Sequence, residues 1–154
     1  MDSAVPVLVA VLGALLGSAA TYLFQLKSSK QAENLAHQRE VRSERMAVYS
    51  EFAGAVTEFR RCQYRRWHSD HGSPDNGGSE AVLEAYRARG IAHHVGIQVQ
   101  LVTSDPALIE SSRGALEAAA AMHRAVSAEQ LRARDDEAVR SLERFIMLAS
   151  GDVQ

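Results

Sequence analysis

Residues 45–64, RMAVYSEFAGAVTEFRRCQY, carry the pattern that decides the fold. Their large side chains recur at alternating steps of three and four residues, which places them along one face of an α-helix. The segment therefore predicts an amphipathic helix whose aromatic face lies in a core. This face consists of Tyr49, Phe52, Val56, Phe59 and Gln63, flanked by Val48, Ala53 and Cys62.

A run of turn-forming residues separates this helix from a second one. Residues 69–79, SDHGSPDNGGS, predict a single loop. Ser79 is placed to cap the next helix, with Glu80 at its positive end. Residues 97–101 alternate like a strand, but one isolated strand has no pairing partner, so the prediction is a helix. Its predicted inward face comprises Val82, Leu83, Tyr86, Gly90, His93, Ile97 and Leu101.

Two further helices begin at recognisable caps. Asp105 and Pro106 suit the N-cap and the first position of a third helix. Ser127 and Gln130 match a capping box at the start of a fourth. The predicted inward residues of the third helix are Leu108, Ser112, Ala115, Leu116, Ala119, Met122 and Val126. Those of the fourth are Leu131, Ala138, Leu142, Phe145 and Ala149, with Ile146 beside them.

The four amphipathic segments are joined by mostly short connections, which favours an antiparallel up-and-down bundle. The predicted class is therefore all-α, with a four-helix bundle over residues 45–151. Its core is rich in alanine, so a single copy would bury little apolar area. Association would bury more. The polar stretch over residues 27–44 contains no glycine or proline and predicts a helical stalk that leads into the bundle.

The amino-terminal segment, residues 1–26, predicts a transmembrane anchor. From Ala4 to Leu26 there is no charged side chain, and a helix of this length extends roughly 34 Å, enough to cross a hydrocarbon core about 30 Å thick. Pro6 lies near the start, where a helix tolerates it. Because basic residues begin at Lys27, we expect the amino terminus outside the cell membrane and the bundle in the cytoplasm.

A cleaved secretory signal is the alternative interpretation of this segment, and it would make the protein a secreted helical domain. Ser18 and Ala20 are small residues of the kind that precede a cleavage site. However, no Lys or Arg precedes the apolar stretch, which continues through Tyr22 and Phe24. The single cysteine, Cys62, excludes an internal disulfide framework and fits a reducing compartment.

Two glycines in the predicted anchor have the spacing of a membrane helix-packing motif. Gly13 and Gly17 lie on one helix face, and small side chains at this spacing let two helices approach closely in lipid. Small residues are also common in membrane spans generally. The sequence leaves open whether this face pairs two copies.

The densest basic segment, residues 60–67, is a candidate surface for phosphate or for a partner. Arginines interleaved with aromatic side chains bind phosphate and stack on single-stranded nucleic acid. The charge balance argues against nucleic acid, because the chain has 17 Lys and Arg but 19 Asp and Glu, for a net charge of -2. The competing interpretation is the outer face of an amphipathic helix. The residues concerned are Arg60, Arg61, Arg65, Arg66 and Trp67.

Three histidines are the candidate metal ligands. The ends of the first and third helices of the bundle are expected at the same pole, which brings His68, His71 and His123 near one another. His68 and His71 straddle a helix end and a flexible loop, so surface histidines without a metal are the competing interpretation. The sequence contains no catalytic constellation and no phosphate-cradling glycine loop, and it predicts no cofactor.

The layout as a whole resembles short bacterial membrane proteins of the actinobacterial type. The similarity rests on one amino-terminal span, a charged juxtamembrane helix and a few packing and turn residues. The resemblance implies an anchor followed by a cytoplasmic helical domain, and it implies no activity. The residues that carry it are Arg45, Tyr49 and Phe52 in one segment and Leu101, Val102 and Pro106 in another.

The sequence therefore predicts a non-enzymatic, single-pass protein that holds a cytoplasmic helical bundle at the membrane. Its expected partners are the lipid bilayer and either a second copy or another protein. A metal- or ligand-binding helical module that uses the distal histidines is the alternative from another class.

Overall fold

The computed structural model describes the backbone of residues 4–72 and 78–153, and the side chains of residues 36–72 and 79–153. The described chain is all-helical, as predicted. Its helices are α1 (Ala4–His71), α2 (Gly78–Val102), α3 (Pro106–Ala121) and α4 (Ala128–Asp152), and a short 3₁₀ turn (Met122–Arg124) follows α3.

The chain divides into two compact units, Met1–Val41 and Arg42–Gln154. The first unit consists of the amino-terminal part of α1, and the second contains the bundle. Within the part of the chain with described side chains, no helix combines the length and the apolar character that crossing a membrane requires. The predicted anchor over residues 1–26, with Gly13 and Gly17, lies outside that part.

Contacts between side chains establish the up-and-down order of the helices in the second unit. Arg45 and Arg60 on α1 pair with Asp152 and Asp135 on α4, respectively. Rising residue numbers on α1 thus meet falling numbers on α4, so these two helices are antiparallel. Gly96 on α2 contacts both α1 and α3. The arrangement confirms the predicted antiparallel bundle.

The predicted core face of α1 is confirmed. All five of its residues are buried, and Phe52 and Phe59 are almost fully enclosed. Phe52 packs against Phe145 of α4 with the ring centroids 4.6 Å apart, and Tyr49 meets the edge of the same ring at 6.0 Å. Aromatic pairs at such distances add to the hydrophobic energy of burial, so this cluster is the centre of the bundle.

The predicted inward face of α2 is wrong. Small residues face the core instead, whereas the predicted stripe is exposed, His93 included, apart from the half-buried Val82. The physical reason lies on α1, because its aromatic rings fill the space at the crossing and leave room only for small side chains opposite. The buried residues of α2 are Ala85, Ala88, Ala92, Val95, Gly96 and Val99.

The helix starts agree with the predicted caps in two of three cases. Asp105 accepts a hydrogen bond from the Ala107 amide at 2.9 Å, and Ser127 accepts one from the Gln130 amide at 3.1 Å. The prediction for Ser79 is wrong, because α2 already begins at Gly78. Residues 69–71 were predicted in the loop but extend α1 to His71.

The inward faces of the last two helices are largely confirmed. Every predicted core residue of α4 is buried. On α3 the exceptions are Leu116, which is half-buried, and Val126, which is 81% exposed. Val126 points outward because α3 ends at Ala121 and the 3₁₀ turn redirects the chain. Ile146, predicted beside the α4 face, is also exposed.

Gly96 lies where α2 makes its closest approach to its neighbours. A Cβ atom there would be 3.1 Å from Leu116 Cδ1 and 3.4 Å from Phe52 Cε2. We expect Gly96→Ala to lower the free energy of unfolding by about 1 kcal/mol, because Leu116 Cδ1 would have to shift and the cost of this overpacking exceeds the gain in helix propensity. Urea unfolding followed by circular dichroism measures this change.

Gly54 on α1 is the matched control, since nothing lies within 4 Å of a Cβ atom at that position. Gly54→Ala should raise the free energy of unfolding by about 0.5–1 kcal/mol through helix propensity alone. Equal stabilities for the two alanine variants would contradict the proposed close approach at Gly96.

Candidate functional site

The arginines of the basic segment are mostly paired with carboxylates. Arg60 lies 3.1 Å from Asp135, and Arg65 lies 3.0 Å from Glu84. Arg61 donates two hydrogen bonds to Glu58, at 2.9 and 2.8 Å. Because these charges are already offset, the segment is not a continuous positive surface. Arg66 differs, since its nearest carboxylate, Asp70, lies 3.7 Å away.

Trp67 corrects the predicted surface. Its ring is buried, and its indole N–H donates to the Ala125 carbonyl at 2.6 Å. The ring packs in a second cluster with residues of the 3₁₀ turn and α4, and His71 stacks on it with the centroids 4.2 Å apart. Trp67 therefore closes one end of the bundle and cannot stack with an external base.

The three candidate metal ligands lie at the same end of the bundle, as predicted, and each has local contacts. His68 lies 4.6 Å from the Tyr64 ring, and Nδ1 of His123 lies 2.7 Å from the Ala120 carbonyl. Burial lowers the pKa of His123. Among the residues that the structure describes, no group of three or more His, Cys, Asp or Glu side chains is placed to hold a metal ion.

The outer face of α2 exposes several large apolar side chains. We define it by Leu83, Tyr86, Ile97 and Leu101, whose exposed fractions range from 49% to 79%. Their spacing places them on one side of the helix, opposite the alanine face that packs on α1 and α3. Large apolar side chains that recur on one exposed helix face are typical of an interaction surface.

A second apolar surface is a groove of about 490 Å³ between α1 and α4. Its floor is formed by the aromatic core, and serines interrupt its walls. The lining residues are Met46, Tyr49, Ser50, Ala53, Phe145, Ile146, Ala149, Ser150 and Val153.

A partly buried hydrogen-bond network lies at one end of this groove. The Tyr49 hydroxyl donates to Asp152 at 2.6 Å, and Arg45 donates to the same carboxylate oxygen at 3.2 Å. Burial, together with the hydrogen bond to Asp152, raises the pKa of Tyr49 to about 12. The network joins the two ends of the bundle chain and has no reacting partner within it, so its role is structural.

The fold defines a small helical-bundle protein with two exposed apolar surfaces, the outer face of α2 and the groove between α1 and α4. Residues 46–153 match the family model of the KilB plasmid transfer protein, and the chain belongs to this family. Comparisons with curated proteins and with solved structures gave no significant match. The match begins where the predicted bundle begins. It agrees only loosely with the resemblance to short membrane proteins, because it does not include the amino-terminal segment.

Proposed function

We propose that this chain is a non-enzymatic, membrane-anchored component of plasmid transfer whose bundle associates with a second copy through the outer face of α2. The proposed role in plasmid transfer comes from the description of the family. The observation that carries the proposal is the exposed row of Leu83, Tyr86, Ile97 and Leu101. An isologous interface uses the same patch on both subunits, and this row contains no charged residue that would repel its own copy.

The size of the outer face favours association at a membrane. From Leu83 to Leu101 the row extends about 27 Å, and with a helix about 10 Å wide it covers roughly 270 Å². A standard stable interface buries about 800 Å² per partner. The face alone is therefore too small for a tight dimer in dilute solution. Confinement by an anchor raises the effective concentration and compensates for the small area.

The anchor itself is supported by the uncharged stretch from Ala4 to Leu26. In the proposed orientation the amino terminus is outside and the bundle is cytoplasmic, because the basic residues follow the stretch. Such a placement would leave the outer face of α2 available on the cytoplasmic side of the membrane.

Cysteine crosslinking in membranes tests the anchor and the association together. His94 lies near the middle of the outer face, is exposed and follows Gly90 by one helical turn. We expect the full chain with His94→Cys to remain in carbonate-washed membranes and to form a covalent dimer with a short bismaleimide. The native Cys62 gives little background, since it is buried and burial raises the pKa of its thiol.

Two controls make the result specific. Ala133→Cys places an exposed thiol on α4 and should give little dimer. Adding Ile97→Glu and Leu101→Glu to His94→Cys should abolish the crosslink, because like charges would meet across the interface. Release of the protein by carbonate would overturn the anchor. Equal crosslinking at His94 and Ala133, or a crosslink only to a different protein, would overturn self-association.

A further inference from the structure

A small polar pocket lies where α1, α2 and the 3₁₀ turn meet. Its volume is about 120 Å³. Phe59, Ala85 and Ala120 contribute apolar surface, whereas the remaining lining is mainly basic. The basic side chains are Arg66 from α1, Arg89 from α2, and His123 and Arg124 from the turn. No carboxylate is among the lining residues.

The charges of this pocket are less compensated than those of the basic segment. Arg66 holds its guanidinium 5.8 Å from the centre of the Tyr86 ring, and its ion pair with Asp70 is long, at 3.7 Å. Among the described side chains, neither Arg89 nor Arg124 lies within 4.0 Å of a carboxylate. Three guanidinium groups from three different elements thus face one cavity.

Two buried polar atoms on the lining residues have no hydrogen-bond partner within the described part of the chain. They are Gln63 Oε1, an acceptor, and Arg66 Nε, a donor that lies 3.7 Å from Asp70 Oδ2, beyond hydrogen-bond distance. Leaving such groups unsatisfied costs stability, and buried polar atoms normally find a partner. Nδ1 of the His123 ring lies 2.7 Å from the Ala120 carbonyl oxygen, so this nitrogen already has a hydrogen-bond partner.

We propose that this pocket binds a phosphate group, either as free phosphate or as the terminal phosphate of a nucleotide. Guanidinium forks match the geometry of phosphate oxygens, and a protonated phosphate oxygen could donate to an acceptor such as Gln63. The volume selects a small group, because pockets for drug-sized ligands hold about 300–1,000 Å³ and one water occupies about 30 Å³. A nucleoside would have to remain outside.

The site differs from the surface predicted over residues 60–67, since it includes only Gln63 and Arg66 from that segment. It also goes beyond the proposed self-association, and phosphate binding does not require a dimer. The positive charges at the site also act on His123. After burial, which is the main cause, the positive charges of Arg66, Arg124 and Arg89 help to lower the pKa of His123.

Calorimetric titration of the full chain in detergent solution tests the proposal. Inorganic phosphate and AMP are the two probes, in chloride buffers of matched ionic strength, because salt screens exposed charges. We expect saturable binding of one phosphate per chain. Arg89→Gln and Arg124→Gln, both at exposed positions, should each weaken it about tenfold, as expected for a lost charged hydrogen bond. Equal affinities identify free phosphate as the ligand, and AMP binding more than tenfold tighter identifies a nucleotide.

Arg132→Gln is the matched control, since it removes one positive charge from an exposed position on α4. It should leave phosphate binding within a factor of two. Circular dichroism of each variant verifies that the helices remain. Absence of saturable binding up to about 10 mM phosphate, or equal weakening by Arg132→Gln and the two pocket variants, would overturn the site.

Discussion

Phe145→Ala is expected to lower the free energy of unfolding by about 3–5 kcal/mol, the range for removing a fully enclosed aromatic side chain. Phe145 is 0% exposed. Its ring contacts Phe52 at 4.6 Å and Tyr49 at 6.0 Å, so the substitution opens a cavity at the junction of α1 and α4. The alanine-rich faces of α2 and α3 have few long side chains that could fill it.

Urea unfolding of the full chain, monitored by circular dichroism, measures this loss. Small domains have about 5–15 kcal/mol of stability in total, so the midpoint should fall by a large fraction. Met147→Ala is the matched control on the same helix, because Met147 is 67% exposed and surface substitutions usually change stability by less than 0.5 kcal/mol. Similar midpoints for the two variants would show that the core is elsewhere.

The parts of the fold that the sequence predicted are those determined by local signals. The α1 face repeats large residues at helical spacing, and Asp105 and Ser127 are caps whose hydrogen bonds span two or three residues. Such patterns need no knowledge of the partner helix. The anchor over residues 1–26 and its glycine pair stay predictions.

The inward face of α2 could not be predicted by ranking side chains by hydrophobicity. Leu83, Tyr86 and Ile97 are larger than the alanines that are buried, so the ranking selected the wrong side. The deciding factor is complementarity with the aromatic rings of α1, which depends on tertiary packing. The alanines recurring at steps of three and four, from Ala85 through Ala92, were the available signal.

In the candidate site, too, some contacts can be predicted from local spacing and others arise only from the fold. The pair of Arg61 with Glu58 has a spacing of three residues and can be inferred from the sequence. In contrast, Arg60 with Asp135 and Arg65 with Glu84 are joined only by the fold. The convergence of Arg66, Arg89 and Arg124 on one pocket likewise requires the crossing of three elements, so it cannot be inferred from the basic segment alone.

The stability of the bundle should fall in alkaline solution because of Tyr49. The tyrosine pKa is about 10 in an unfolded chain and about 12 in the folded protein, where burial and the hydrogen bond to Asp152 favour the protonated form. A raised pKa means that the folded state retains the proton longer. Its contribution is therefore fully present below pH 10 and is lost as the pH rises through 12. A difference of two pKa units between the folded and the unfolded state corresponds to roughly 3 kcal/mol.

Tyr49→Phe isolates this contribution, because it removes the titrating hydroxyl and keeps the buried ring. At pH 8 the variant should be less stable by about 1.5–3 kcal/mol, the value of a hydrogen bond to a charged group. Between pH 9 and 12 the free energy of unfolding of the variant, measured with urea, should fall less steeply than that of the parent chain. The two curves of stability against pH should therefore converge. Tyr64→Phe is the control, since Tyr64 is 38% exposed and its curve should follow the parent. Parallel curves for Tyr49→Phe and the parent would show that Tyr49 does not stabilise the bundle through its bound proton.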